Sequence, residues 1–318
     1  MSPGTASQIA RLSGLNVREA RQVGSQHGYQ HFMITLAGGQ RAFAKVASDP
    51  ATPASDPATP ASDPATPASD AATPAHAAAF AAEANGLRWL GEPGAVPVPE
   101  VLAAEPAVLV ISMITPGQAT PEAAFRFGAE LARLHAAGAD SFGAPWRGFI
   151  ASLPLDNTQQ SPGADTQQSQ WPDWYATRRL LPYLRLATDS GALGPQDGRL
   201  VEAVMDQIGS LAGQAEPPSR IHGDCWAGNV LWSGGRGWRI DPAAHGGHRE
   251  TDLAMLALFG APHLDRIMAG YNDTVPLAAG WRSRLPLHQL HPLLVHACLF
   301  GVSYRDAVHS AARAALTS

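Results

Sequence analysis

His222-Gly223-Asp224 is followed by Asn229, five residues after the aspartate, and by Asp241, twelve residues after the asparagine. Between them, the apolar stretch Val230-Leu231-Trp232 and the turn Gly234-Gly235-Arg236-Gly237 read as a hairpin. Such a hairpin returns Ile240-Asp241-Pro242 towards the asparagine. An isolated Asp would be read as a turn or helix cap. Here that reading must also explain the spacing, the hairpin and the later Asp. The arrangement is the one phosphoryl transfer needs: a loop Asp accepts the proton of the attacking hydroxyl, while Asn and the second Asp ligate Mg²⁺.

A second pairing points the same way. Lys45 lies on the third predicted strand, in Phe43-Ala44-Lys45-Val46, and Glu83 on an Ala-rich predicted helix. A strand lysine paired with a helix glutamate positions the α and β phosphates of ATP. Lys45 is the single lysine among 22 basic residues. An Ala-, Gly-, Pro- and Arg-rich composition is what a GC-rich genome encodes, so Arg replaces Lys wherever charge alone matters. The remaining lysine marks a site that needs a compact ammonium, or it survives by chance; composition does not decide. Gly24-Ser25-Gln26-His27-Gly28 offers backbone N–H groups that could cover phosphates, although an ordinary tight turn fits as well.

Strand signals dominate early, at 17–23, 30–36 and 41–46, with Ala37-Gly38-Gly39-Gln40 as a hairpin turn. Residues 48–75 contain the seven-residue unit ATPASDP and its variants, with prolines throughout and no Leu, Ile or Val. Helix is blocked and nothing large is available to bury, so a disordered or polyproline-like insert is expected. A helix at 76–90 and strands at 101–104 and 107–111 follow. Helices then dominate: 121–137, 171–188, 195–211, 250–258 and two stretches after Leu287. Residues 144–170, rich in Gln, Pro, Ser and Asp, read as an irregular loop.

Of the 318 residues, 45% are hydrophobic, enough for one large domain or two lobes. The net charge of −5 and the lack of a basic stripe exclude an electrostatic nucleic-acid binder. Four of the acidic residues (Asp49, Asp56, Asp63, Asp70) fall in the insert, which leaves 23 acidic against 22 basic groups elsewhere. No unbroken apolar run approaches the ~18 residues of a membrane span. No signal peptide is expected from Met1-Ser2-Pro3-Gly4-Thr5. Cys225 and Cys298 cannot build a disulfide framework, so a reducing cytoplasm is expected. Cys225, beside Asp224, reads as a buried small hydrophobe before a redox-sensitive thiol.

IHGDCWAGNVLW and then IDPAAHGGHRETDLAMLALFG resemble the fructosamine kinase (ketosamine kinase) family, whose usual pattern is H-G-D-L-W-S-G-N, then D-P-A and G-H-R-E-x-D-L-A-M-x-x-L-F-G. FAAEANGLRWL and HPLLVHACLFGVSY also resemble family segments. Cys225 and Ala227 depart from the usual Leu and Ser, which bears on substrate fit more than on catalysis. The resemblance implies an α+β, bilobal protein-kinase-like fold related to the aminoglycoside phosphotransferases. Its N-lobe, 1–113, would hold a small antiparallel sheet plus a helix and bind nucleotide. Its C-lobe, 114–318, would be mainly helical, catalytic and acceptor-binding.

Carried over by residue, the resemblance makes Asp224 the catalytic base and Asn229 and Asp241 Mg²⁺ ligands. Lys45 becomes the ATP anchor, Glu83 its partner, and Ile111, Ser112 and Met113 the hinge beside adenine; Gly24 and Gly28 would flank the phosphate loop. Asp252 and His222 would hold the catalytic loop in shape. Trp226 would be a wall for the sugar or a core residue. His248, Arg249 and Glu250 would line the acceptor pocket or cap the next helix. The implied reaction uses ATP and Mg²⁺ to phosphorylate a ketosamine, free or on a glycated protein, at O3, as a step of deglycation. An aminoglycoside- or choline-type kinase, or a non-catalytic pseudokinase-like module, are the alternatives.

Overall fold

The computed structural model describes residues 3–26, 28–48, 75–160 and 171–317. His27, all but the two ends of the 48–75 repeat insert, and residues 161–170 of the expected irregular loop lie outside the described residues. The chain divides into two compact units, Met1–Arg88 with Pro99–Thr115, and Trp89–Val98 with Pro116–Ser318.

The first unit opens with α1 (Pro3–Ser13), a helix the strand signals did not announce. Five strands follow: β1 (Val17–Gln26), β2 (Tyr29–Leu36), β3 (Arg41–Ala47), β4 (Val101–Glu105) and β5 (Val108–Ser112). They form one antiparallel sheet in the order β1-β2-β3-β5-β4, with α2 (Ala75–Gly91) between β3 and β4 in sequence. Strand side chains alternate between faces. Ala42, Ala44 and Val46 therefore share one face, and they are buried with Phe32, Ile34, Val108 and Val110 against Ala6 and Ile9 of α1. The opposite face of β3 carries Phe43 and Lys45. On α2, Ala77, Phe80, Ala84 and Leu87 are buried at helical spacing. Glu83 lies three residues after Phe80 and four before Leu87, which puts it on the same side of the helix.

Both ends of the insert meet Gly28. The Ser48 N–H donates to the Gly28 carbonyl at 2.9 Å, and a Cβ built on Gly28 would stand 3.6 Å from His76 Cε1. A long loop between ends already close together costs little extra entropy per added residue. Replacing residues 49–74 with a short Gly-Ser linker is expected to shift the Tm by less than about 3 °C. A larger drop in a thermal melt would show that the repeat packs.

The second unit begins its helical part with α3 (Pro121–Ala136). The Thr120 hydroxyl caps it by accepting the Ala123 N–H at 3.2 Å, and Pro121 occupies the first turn. Next come the hairpin β6 (Gly148–Ile150) and β7 (Leu153–Leu155), then α4 (Trp171–Tyr175), a π-helical turn, α5 (Leu181–Asp189), α6 (Pro195–Asp206) and α7 (Ile208–Leu211). The short strands β8 (Ser219–Ile221), β9 (Val230–Ser233), β10 (Arg236–Arg239) and β11 (His245–Gly247) precede α8 (Glu250–Phe259), α9 (Leu264–Thr274), α10 (Trp281–Phe300) and α11 (Arg305–Leu316). The sequence reading missed α9. Its partner is α3, and the crossing depends on two glycines: a Cβ on Gly128 would stand 1.9 Å from the Ile267 carbonyl oxygen, and one on Gly270 2.0 Å from that of Phe125. Trp281–Leu316 is long and apolar enough to span a membrane, but half of its most apolar window is buried. Leu287, Leu290, Leu294, Val308 and Ala312 within it belong to the main core of this unit.

That core holds buried histidines kept neutral. Burial first, then the positive charge of Arg179, pushes His245 down to about 3 and His291 well below its ordinary value; burial and the neighbouring His288 do the same to His248. In the unfolded chain these groups protonate near ~6.5. Their contribution is therefore complete above that pH and is lost as pH falls towards about 3. Asp224, raised to about 7, works in the opposite sense but is one group against three. The Tm is expected to fall between pH 7.5 and 5.0, and an equal or higher Tm at pH 5.0 would refute this account.

Candidate active site

β8 pairs antiparallel with β11, His245 opposite Ile221 and Gly247 opposite Ser219. Everything from His222 to Ala244 is thus a closed excursion between two paired strands, with the β9–β10 hairpin inside it. Gly223 lets the chain leave β8. Its φ is +78°, and a Cβ there would stand 2.3 Å from the Ala243 carbonyl oxygen.

Asp252, in the first turn of α8 and only 1% exposed, holds the start of this loop. Its Oδ2 accepts the His222 N–H at 2.8 Å and its Oδ1 the Gly223 N–H at 2.9 Å. His135 of α3 braces the same carboxylate at 3.1 Å and contacts the Tyr271 hydroxyl at 2.8 Å. Burial opposes ionisation of Asp252, but the His135 and His222 contacts outweigh it and hold the group below its ordinary value. His222 Nε2 donates to the Ile240 carbonyl at 2.9 Å, so its Nδ1 accepts the Asp224 N–H at 3.3 Å. One neutral imidazole therefore ties the two arms of the excursion together, and burial keeps its pKa down.

Asn229 ends a 3₁₀ turn, Ala227–Asn229. Its Nδ2 donates to the Asp224 carbonyl at 3.0 Å and the Asp224 carboxylate at 2.8 Å, and reaches the Asp241 carbonyl at 3.5 Å. Its own carbonyl accepts the Ile240 N–H at 3.0 Å. With the amide nitrogen turned to Asp224, the amide oxygen is the atom that could hold a cation. Asp241 has a φ of +50°, a backbone region that Asp tolerates better than bulky residues. An amide oxygen beside carboxylates is a hard-oxygen donor set that fits Mg²⁺. Asp224 is pushed up to about 7, first by desolvation and then by the charges of Asp241 and Asp252, while hydrogen bonds from Asn229 and Trp226 oppose the rise. A carboxyl group in that range could serve as a base near neutral pH.

In the first unit, Lys45 Nζ lies 2.8 Å from each carboxylate oxygen of Glu83. Lys45 is opposite His31 on one side and Leu109 on the other, so it sits mid-sheet and is 8% exposed. Gly24 lies within β1 next to a register shift, because β1 runs on to Gln26. Gly28 occupies the turn with a φ of +78°. Ile111 is buried. The Ser112 N–H is spent on the Glu100 carbonyl at 2.8 Å and the Met113 N–H on the Arg41 carbonyl at 3.3 Å, so neither amide is offered to a ligand.

Other expectations change. Trp226 is 38% exposed and is not a core residue. Its ring lies over Gly228, where a Cβ would come within 2.2 Å of it. Arg249 and Glu250 are each held in an ion pair. Arg249 is paired with Glu216 at 2.7 and 2.6 Å, and Glu250 with Arg284 at 2.9 and 2.6 Å. Burial opposes ionisation of Glu250, yet His288 and Arg284 hold it at about 2. His248 is buried against Trp171, ring centroids 4.8 Å apart. Cys225 is fully buried and its thiol is pushed up by burial, so it carries no thiolate for redox chemistry. Sequence reasoning missed His135, Tyr271, Glu216 and Arg284, because their partners lie 33 to 136 residues away and no local spacing signals them.

The fold and the Asp224–Asn229–Asp241 cluster define the class, an α+β protein-kinase-like phosphotransferase. An ADP-bound aminoglycoside phosphotransferase shares that fold with a TM-score of 0.58 at 13% identity, covering 99% of this chain and 97% of its own. The family model for fructosamine kinases matches residues 70–318, and the chain belongs to that family. A solved Thermobifida fusca structure assigned as a fructosamine-3-kinase is 47% identical, with both chains covered in full and a TM-score of 0.85. The probable ketoamine kinase of Klebsiella aerogenes is 33% identical over 227 residues, 70% of this chain and 75% of that protein. Membership makes the chain a phosphotransferase of the ketosamine kinase class, with ATP as its donor.

Asp252→Ala leaves two buried N–H groups and His135 without their acceptor. It is expected to cost about 3–5 kcal/mol of unfolding free energy in urea. A loss below about 1 kcal/mol would show that this carboxylate does not hold the loop.

Proposed function

We propose that this chain transfers the γ-phosphoryl group of ATP to the O3 hydroxyl of a ketosamine, the rearranged adduct of a sugar on an amine. The observation that carries the reading is Asn229 Nδ2 bridging the Asp224 carbonyl and carboxylate while reaching the Asp241 backbone. Asp224 aligns the acceptor hydroxyl and takes its proton. The Asn229 amide oxygen and the Asp241 carboxylate would hold Mg²⁺, which when bound offsets phosphate charge. Lys45, oriented by both Glu83 oxygens, presents its ammonium to the α and β phosphates. Phosphorylation at O3 makes the adduct prone to decompose, which supports a role in deglycation of proteins in the cytoplasm. Residues His248-Arg249-Glu250-Thr251-Asp252-Leu253-Ala254-Met255, with the family's G-H-R-E-x-D-L-A-M pattern, favour a ketosamine over an aminoglycoside or choline.

ADP release with synthetic fructosyl and ribulosyl amines, beside kanamycin and choline, tests the acceptor class. Turnover of kanamycin or choline without any ketosamine would overturn it, and NMR of the product reads the phosphorylated position. Asp224→Asn is expected to lower kcat by about 10²–10⁴-fold while nucleotide affinity stays near that of the unaltered enzyme. Retained turnover would remove Asp224 as the base. Lys45→Arg is expected to cut kcat/KM severely, since a planar guanidinium does not replace a compact ammonium at the phosphates. A near-normal rate would refute that role.

A further inference from the structure

We propose that Tyr29 is a positioning residue for the phosphate anchor: its ring seats α2 on the sheet so that Glu83 holds Lys45 ready for the nucleotide. The inference rests on the reading above, in which Lys45 meets the α and β phosphates. β3 ends at Ala47 and α2 begins at Ala75. An extended chain reaches about 3.3–3.6 Å per residue, so a connection of that length does not fix where the helix sits. Side-chain contacts must fix it. On β2 and β3, Tyr29 stands opposite Ala47 and His31 opposite Lys45. Tyr29 and Lys45 are therefore diagonal neighbours on one face of the sheet. His76, Phe80 and Glu83 follow one another at helical spacing along one side of α2. The two rows meet in register. The Tyr29 ring contacts His76 edge-on, centroids 5.4 Å apart, and Phe80 at 4.9 Å, while Lys45 Nζ meets Glu83 at 2.8 Å.

Among the described residues, both ring contacts between α2 and the sheet are made by Tyr29. Paired rings at such a separation attract beyond the area they bury. Phe80 is 2% exposed and lies three residues before Glu83, so a ring seated on it steadies the turn that carries the carboxylate. Tyr29 is also within electrostatic reach of the ion pair. Burial raises the pKa of its hydroxyl most, Lys45 lowers it and Glu83 raises it. Gly28, just before Tyr29, turns with a φ of +78°, and its carbonyl accepts the Ser48 N–H at 2.9 Å. The ring thus stands where the β1–β2 turn, the end of β3 and the start of α2 come together. Without it, Glu83 loses its seat and Lys45 must be ordered as nucleotide binds, a cost that appears in affinity.

The test measures MgADP affinity by calorimetry, and KM for ATP and for fructosyl-methylamine, in the full-length enzyme. Tyr29→Ser is expected to weaken MgADP binding and raise KM for ATP about tenfold, with KM for the acceptor within about twofold. Tyr29→Phe keeps the ring and is expected to stay within about twofold throughout. In a Glu83→Gln background, Tyr29→Ser is expected to add less than about twofold, because its effect runs through Glu83. Should Tyr29→Ser melt below the assay temperature, Tyr29→Leu, which keeps apolar bulk without a ring, takes its place. Equal KM shifts for both substrates, a tenfold loss that persists without Glu83, or no rescue by Tyr29→Phe would overturn the inference. Calorimetry needs no acceptor, so an enzyme that turns over no ketosamine would overturn the acceptor reading alone. Unchanged MgADP affinity in Lys45→Arg would overturn the anchor itself, and this inference with it.

Discussion

The Asp252 carboxylate, 1% exposed, accepts two successive backbone N–H groups of the loop that carries Asp224. A buried carboxylate is tolerable only when its lone pairs are filled and its charge is compensated. Here α3 braces the carboxylate through His135, and α9 contacts His135 through Tyr271. Three helices thus converge on one side chain, and the loop takes its shape from them. The Gly128–Gly270 crossing of α3 and α9 belongs to the same support, because it sets how closely the two helices approach.

Two carboxylates a few residues apart in space end with opposite tendencies. Asp252 is held ionised by contacts from His135 and His222, while desolvation and the charges of Asp241 and Asp252 raise Asp224 to about 7. Environment alone separates the protonation tendencies of two chemically identical groups. The His222 imidazole, fixed in one tautomer by the Ile240 carbonyl, orients the backbone between them.

Lys45 illustrates how composition and chemistry interact. A chain that has drifted to Arg elsewhere keeps its single lysine where Glu83 grips the ammonium with both oxygens. The grip requires β3 to turn Lys45 to the face opposite Ala42 and Ala44, and α2 to turn Glu83 towards the same side as Phe80 and Leu87. Both conditions follow from strand and helix periods that are visible in the chain.

The chain by itself announced the five strands of the first unit and the residue pattern of phosphoryl transfer, because periodicity and short spacings are local properties; it did not announce α1 or α9. Asp224, Asn229 and Asp241 were legible for that reason: a hairpin of known turn residues closes the distance between them. The ion pairs of Arg249 and Glu250 were not legible, since their partners Glu216 and Arg284 come from distant segments; the first pair is partly buried and the second buried. Helix α9 escaped notice because its glycine, a weak helix former, is there for the crossing with α3 rather than for helix propensity. Trp226 could be core or surface until packing placed its ring over Gly228 and left it 38% exposed. Local pattern names the chemical groups; only tertiary packing decides which of them stay open to a ligand, because burial and long-range pairing are not encoded in spacing.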